Sequence, residues 1–260
     1  MKRYIHIWWI LSIRSLQTAL VSRFGSGIFM LGKLLRFFSF LAFLLLLVGK
    51  TNTIAGYGVW DIILLYATFN FIDTTTQFLL REVYRFRQYV VTGQLDYIFI
   101  KPFSPLFRSL FGGSDPLDIP LLIISIIFIW VAFTHIHVGS LVNVIAYWIL
   151  IVNALIIALS FHIMVLGLGI LTTEVDNSIM FFRDLTQMGR FPIEIYQEPL
   201  RAFLTFIIPI GIMMTFPIQV LLGVLSWQMI VISIAIGGIF LILSLLFWNY
   251  ASRYYASASS

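Results

Sequence analysis

Tyr66, Asn70, Asp73, Thr74, Gln77 and Arg81 recur at i, i+3 and i+4 spacing within an otherwise apolar run, 59–80. On a helix that spacing gathers polar side chains on one face. A charge or amide inside an apolar helix must face protein or water, because exposure to lipid is costly. Arg36 sits at a similar expected depth in the preceding apolar run and is the natural partner for Asp73. The pair reads either as an ion pair locking two helices or as part of the polar wall of a transport path. Neither reading includes a nucleophile next to a base, so this face can bind and orient but not hydrolyse.

The other reactive-looking groups lead nowhere as catalysts. His135 and His137 form an H-x-H with no further ligand nearby in sequence, so interfacial residues are the simpler reading than a metal pair. Gly49-Lys50-Thr51 mimics the end of a phosphate-binding loop, but position 44 is Leu44 where that loop needs glycine, and no strand precedes it. The chain by itself therefore lacks this means of binding ATP, and no metal or other cofactor is expected on it. No HExxH, no Ser-His-Asp arrangement and no paired carboxylates stand out. Cysteine is absent, which excludes disulfides and thiol chemistry.

The elements that must position the polar face are six apolar stretches, at 37–49, 59–80, 117–134, 140–172, 200–222 and 228–248. A bilayer core of about 30 Å needs roughly 20 apolar residues per helical crossing. The 60% apolar content and mean hydropathy of +1.00 belong to an integral membrane protein. The runs are continuous rather than alternating, which excludes a transmembrane barrel. Residues 1–260 read as a single all-α membrane domain with six spans. Gly167, Gly169, Gly237 and Gly238 would permit close helix contact.

Charge placement sets the orientation. Lys2, Arg3, Arg14 and Arg23 precede the first span, and Arg81, Arg85, Arg87, Lys101 and Arg108 follow the second. Lys50 alone lies between spans one and two, while 135–139 and 223–227 carry no Lys or Arg. The positive-inside rule places both termini and 81–116 in the cytoplasm. The net charge of +5 is thus a topology signal, and no nucleic-acid partner is expected. In residues 1–25, Trp9, Ile13, Leu16, Leu20 and Phe24 form an apolar stripe with Arg3, Arg14, Gln17 and Ser22 largely off it. That pattern predicts an amphipathic helix lying in the membrane interface, leading through Gly25 and Gly27 into a first span from near Ile28 to Gly49.

Two segments resist a simple reading. Residues 81–116 mix charges with Tyr84, Phe86, Tyr89, Val90, Val91, Leu95, Tyr97, Ile98 and Ile100, too apolar for a solvated loop. They suit short helices pressed on the membrane, or a helix received by a groove on a cytoplasmic partner. Between Thr172 and Arg201, apolar residues alternate with Glu174, Asp176, Arg183, Asp184, Arg190, Glu194 and Glu198, and Pro192, Pro199, Pro209 and Pro217 punctuate the chain. Hydropathy makes 173–199 cytoplasmic and 200–222 a fifth span, yet broken apolar helices also mark re-entrant segments.

Gly93-Gln94-Leu95-Asp96 followed by Lys101-Pro102-Phe103-Ser104-Pro105-Leu106 resembles the G-x-L-D…(K/R)-P-x-S-P-L signature of a bacterial ABC-2 permease family. Gly189-Arg190-Phe191-Pro192-Ile193-Glu194-Ile195-Tyr196, continuing through Leu200-Arg201, Ile208-Pro209 and Pro217 to Leu221-Leu222-Gly223, resembles a second block of the same family. The resemblance implies a membrane subunit of an ABC exporter in the bacterial inner membrane. Two ATP-binding subunits, which would carry ATP and Mg, and a second permease, identical or paralogous, are the implied partners, with membrane lipids around them. It also implies a coupling helix in 81–116, with Gly93, Leu95, Asp96, Lys101 and Pro102 as its candidates. Span five would be a short segment near 175–190, left oddly polar by Arg183 and Asp184, and 191–222 a re-entrant element before the last span. On this reading Glu198 is external or re-entrant; on hydropathy alone it is cytoplasmic.

The Asn70–Asp73–Gln77 face, with Arg36 and nearby aromatic rings, would then line a path suited to an amphiphilic or hydrophobic substrate. A secondary transporter or channel is the alternative and would want inverted repeats and a midplane ion site. A lipid-modifying membrane enzyme would want an interfacial cluster of His, Asp or Glu, and none is visible.

Overall fold

The structure is a computed structural model that describes residues 2–21, 23–172 and 175–255. Ser22, Glu174 and the Ser/Ala-rich tail at 256–260 lie outside the described residues. Those described residues are helical throughout, apart from connecting turns and one isolated bridge between Ile54 and Tyr57.

Helix α1 spans Lys2–Val21 and buries none of its residues. Its stripe of Trp9, Ile13, Leu16 and Leu20 is exposed, so it faces away from the rest of the chain. What holds α1 is its other side: Tyr4 packs edge-on against Phe107, and the Ser12 hydroxyl accepts from the Ser114 amide at 3.2 Å. Helix α2 spans Arg23–Thr51, starting earlier than the expected Ile28 and running straight through Gly25 and Gly27. Phe37, Leu41, Leu44 and Val48 are its buried residues, one narrow face at helical spacing.

Helix α3, Val59–Leu79, is the element that carries the polar face, and every residue from Ile62 to Asn70 is buried. Three short helices follow: α4 (Phe86–Val91), α5 (Gln94–Phe99) and α6 (Pro105–Leu110). Pro105 opens α6 where its missing N–H costs nothing, and the Ser104 hydroxyl caps the turn by accepting from the Phe107 amide at 3.3 Å. Helix α7 (Ile119–His135) pairs along α3, and α8 (Leu141–Thr172) runs through the centre, touching α3, α9, α11, α12 and α13. The elements after α8 are α9 (Val175–Gln187), α10 (Leu200–Ala202), α11 (Ile210–Met214), α12 (Phe216–Leu221) and α13 (Trp227–Arg253).

Among the described residues, four helical segments are long and apolar enough to cross a membrane: Arg23–Thr51, Pro116–His135, Leu141–Thr172 and Trp227–Arg253. Helix α3 has the length, about 32 Å at 1.5 Å per residue, but its polar face keeps it out of that set. Residues 200–222 do not form the continuous fifth span that hydropathy suggested. Helix α10 passes into a π turn, Phe203–Ile207; Ile208 is extended before Pro209, and Thr215 separates α11 from α12. Proline removes an amide donor and pushes the preceding residue out of helical geometry, so Pro209 enforces the break. No piece of this run reaches across about 30 Å. Instead, all of α11 and most of α12 are buried against α8 and α3.

The α8–α13 contact depends on missing side chains on both helices. A Cβ on Gly237 would lie 2.0 Å from Asn153 Oδ1, and the Asn153 amide donates to the Ser233 carbonyl at 2.9 Å. Gly167 likewise accommodates the Phe247 ring and Gly169 the Val175 side chain, but Gly238 faces open space and has no packing role within the chain.

Candidate functional site

The basic end of the bundle is built first by ion pairs. Lys33 of α2 binds Asp118 at the start of the α7 segment, and Arg81 reaches Asp115 at 3.6 Å. Asp115 also caps the turn at 116–118 by accepting from the Leu117 amide at 3.0 Å. Lys33, Arg81 and the two aspartates therefore share one level. Beside them, the buried Glu82 carboxylate accepts from Arg108 at 2.6 Å and from the Tyr89 hydroxyl at 2.5 Å, with Arg85 at 3.5 Å. Burial, and then the bond to Glu82, push the Tyr89 hydroxyl pKa up.

Above that level runs the predicted polar face. Asp73 accepts from the Gln77 amide at 2.8 Å, and the Asn70 amide donates to the Tyr66 carbonyl at 2.7 Å. The Tyr66 hydroxyl donates to the Phe37 carbonyl at 3.1 Å, tying α3 to α2 next to Arg36. The expected Arg36–Asp73 ion pair is not formed: among the described residues, no carboxylate lies within 4.0 Å of Arg36. The reason is facing: Arg36 lies on the exposed side of α2, off its buried Phe37–Leu41–Leu44 face, while Asp73 is taken up by Gln77. Arg36 is exposed on the surface of the single chain, and its charge still acts on Asp73 together with those of Arg190 and Arg183.

Sequence reasoning left Arg183 and Arg190 out of this face. Arg183, Gln187 and Arg190 follow i, i+4, i+7 spacing along α9 and the turn after it. Arg190 lies over the rings of Phe40 and Phe69, at 4.7 and 5.4 Å, and Arg183 lies 6.0 Å from the Tyr84 ring. The helical spacing was visible in the sequence, but only the fold brings the turn after α9 against α3.

The residues matched to a coupling helix separate into two groups. Gly93 links α4 to α5 at φ +71°, a left-handed turn that only glycine adopts without strain. Leu95 is fully buried, and Asp96 accepts from the Tyr255 hydroxyl at 2.8 Å, fastening the end of α13 to this loop. Burial, and then Asp96, push the Tyr255 pKa up to about 12, so the hydroxyl stays protonated across the physiological range. These three residues hold the loop together. Lys101 and Pro102 are exposed, and beside them stand the exposed Val91, Tyr97 and Ile100, noted in the sequence as too apolar for a solvated loop but not among the coupling candidates. Their hydrophobicity was legible, but their exposure was not.

At the opposite end of the bundle, the Gln219 amide donates to the Tyr57 hydroxyl at 3.2 Å and also to Glu194. Here too His135 stacks on Trp60, with ring centroids 3.8 Å apart, and its Nδ1 lies 3.0 Å from the Val131 carbonyl. No group of three or more potential metal ligands occurs among the described residues.

No curated protein and no solved structure matches the chain. A family model described as ABC-2 family transporter protein matches residues 34–259, which takes in the polar face, the 81–116 helices and the broken 191–222 segment. With nearly the whole chain matched, this protein belongs to the ABC-2 transporter family, the membrane permeases of ABC transporters.

Proposed function

We propose that this permease is the membrane half of an ATP-driven exporter in the bacterial inner membrane. Two ATP-binding subunits dock under its basic end, and a second permease, identical or paralogous, stands beside it. The distribution of Lys and Arg supports a cytoplasmic basic end with both termini on that side. The Tyr57–Gln219–Glu194 contact supports an external position for 191–222, dipping into the membrane and returning, with α9 as a short fifth crossing. On this reading the chain crosses six times although four of its described segments are individually apolar enough, because α3 is shielded by protein and α9 with the turn after it makes a short crossing.

The observation that carries the coupling reading is the exposure of Val91, Tyr97 and Ile100 beside Lys101 and Pro102. Tyr97 and Ile100 are 66% and 77% exposed at the basic end, on a loop fastened to α13 by Asp96–Tyr255. An apolar, tightly braced ridge is what a cleft on an ATPase would push against. ATP hydrolysis in the partner subunits would rock the paired permeases and move an amphiphilic substrate along the Asn70–Asp73–Gln77 face.

Affinity purification of the tagged chain in mild detergent, followed by mass spectrometry, tests this. Recovery of a P-loop ATPase, lost in Tyr97→Asp/Ile100→Asp, is the expected result. A chain recovered without any ATPase overturns the exporter and makes an ATPase-independent transporter the reading.

A further inference from the structure

The polar seam between α2, α3 and α9 carries more positive charge than its own carboxylate balances. Arg36 on α2 and Arg183 and Arg190 on α9 and its following turn all act electrostatically on the lone Asp73. Among the described residues, none of the three has a carboxylate within 4.0 Å. Asp184 adds no balance, being exposed and about 100° further round the helix than Arg183. Arg190 Nε is buried without a hydrogen-bond partner, as is Gln187 Oε1 one turn before it.

Guanidiniums at membrane depth without counter-charges are costly, and their planar forks match phosphate and carboxylate oxygens. The surroundings select the rest of the ligand. The Phe40 ring under Arg190 is 5.8 Å from that of Phe191, and Phe40 lies one turn beyond Arg36 on α2. Charge next to aromatic surface fits a headgroup with an attached chain better than a free ion.

We propose that the seam binds the anionic phosphate or carboxylate headgroup of an amphiphile, with Arg36 and Arg190 as its ligands and the Phe40–Phe191 surface against the acyl portion. This deepens the exporter reading by giving its substrate an anionic headgroup, and it rests on that reading only for the direction of transport.

Equilibrium binding of radiolabelled dodecyl phosphate to the full chain in dodecyl maltoside tests the site without any ATPase. The expected result is saturable binding, weakened about tenfold in Arg36→Gln and in Arg190→Gln, the scale of one lost charge-assisted contact. It should be unchanged in Arg253→Gln and unaffected by equimolar dodecylphosphocholine or inorganic phosphate. Should Arg190→Gln fail to elute as a monodisperse peak, the exposed Arg36 position decides alone. Wild-type binding by Arg36→Gln, or equal competition by dodecylphosphocholine or by inorganic phosphate, overturns the proposal. Dodecyl phosphate binding in a chain that recovers no ATPase keeps the site and removes the exporter.

Discussion

Gln219 donates to the Tyr57 hydroxyl at 3.2 Å, joining residues 162 positions apart. Tyr57 lies in the turn between α2 and α3, at the end of the bundle away from Lys33, Arg81 and Asp115. Gln219 also binds Glu194, so both ends of the broken 191–222 segment come to that far end.

This contact makes the side on which Glu198 is found a test of the external reading. Because the chain has no cysteine, single Cys variants report cleanly. Glu198→Cys and Asn52→Cys should react with an impermeant maleimide from the same side of the membrane, and Lys101→Cys from the other. Glu198→Cys and Lys101→Cys labelling together would restore the continuous fifth span.

The Glu82 carboxylate is buried and held by Arg108 and Tyr89. Arg108→Ala strands that charge, and breaking a buried pair costs about 3–5 kcal/mol. The detergent melting temperature should fall sharply, and Glu82→Gln in the same background should recover part of the loss. An unchanged melt for Arg108→Ala would contradict the buried pair.

Adjacent glycines in α13 should behave oppositely. Gly237→Ala drives a methyl into Asn153 and should cost about 1–3 kcal/mol through overpacking and the strained Asn153–Ser233 bond. Gly238→Ala meets nothing within 4 Å in the chain and gains helix propensity, so its melting temperature should hold or rise. Loss of stability in Gly238→Ala alone would point to a partner packed on that face.

The two kinds of residue in 81–116 are separable by experiment. Leu95→Asp should lower yield and melting temperature, because it places a charge in a fully buried position. Tyr97→Asp and Ile100→Asp, on the exposed ridge, should leave the melt within about 1 kcal/mol of wild type while lowering ATPase recovery. Equal destabilisation by all three would make the ridge part of the core.

Arg87 and Asp176 form an ion pair at 3.1 Å, with both side chains about half exposed. Screening holds such a pair to about 0–1 kcal/mol, so Arg87→Ala should leave the melt almost unchanged. A large loss would show that this pair is covered by a partner.

Composition and the long apolar runs were enough to establish a helical membrane protein, and the bias of Lys and Arg to predict its orientation, since these follow from solvation of single helices in a bilayer. The i, i+3, i+4 face of α3 was equally legible, because a helix's own periodicity fixes which side chains share a side. Which helices turn toward one another was not. Arg36 and Asp73 looked paired by depth within their separate runs, yet Arg36 turns to the exposed side of α2 and Asp73 is held by Gln77. Leu95 and Ile100 are both apolar residues of one short loop, and only the packing of α4, α5 and α13 buries the first and exposes the second. Residues 200–222 have the hydropathy of a span, but Pro209 and the space between α8 and α3 make them a folded plug. Local solvation and periodicity are carried by neighbours in sequence; relative depth, facing and exposure depend on contacts between distant segments, which exist only once the helices have packed.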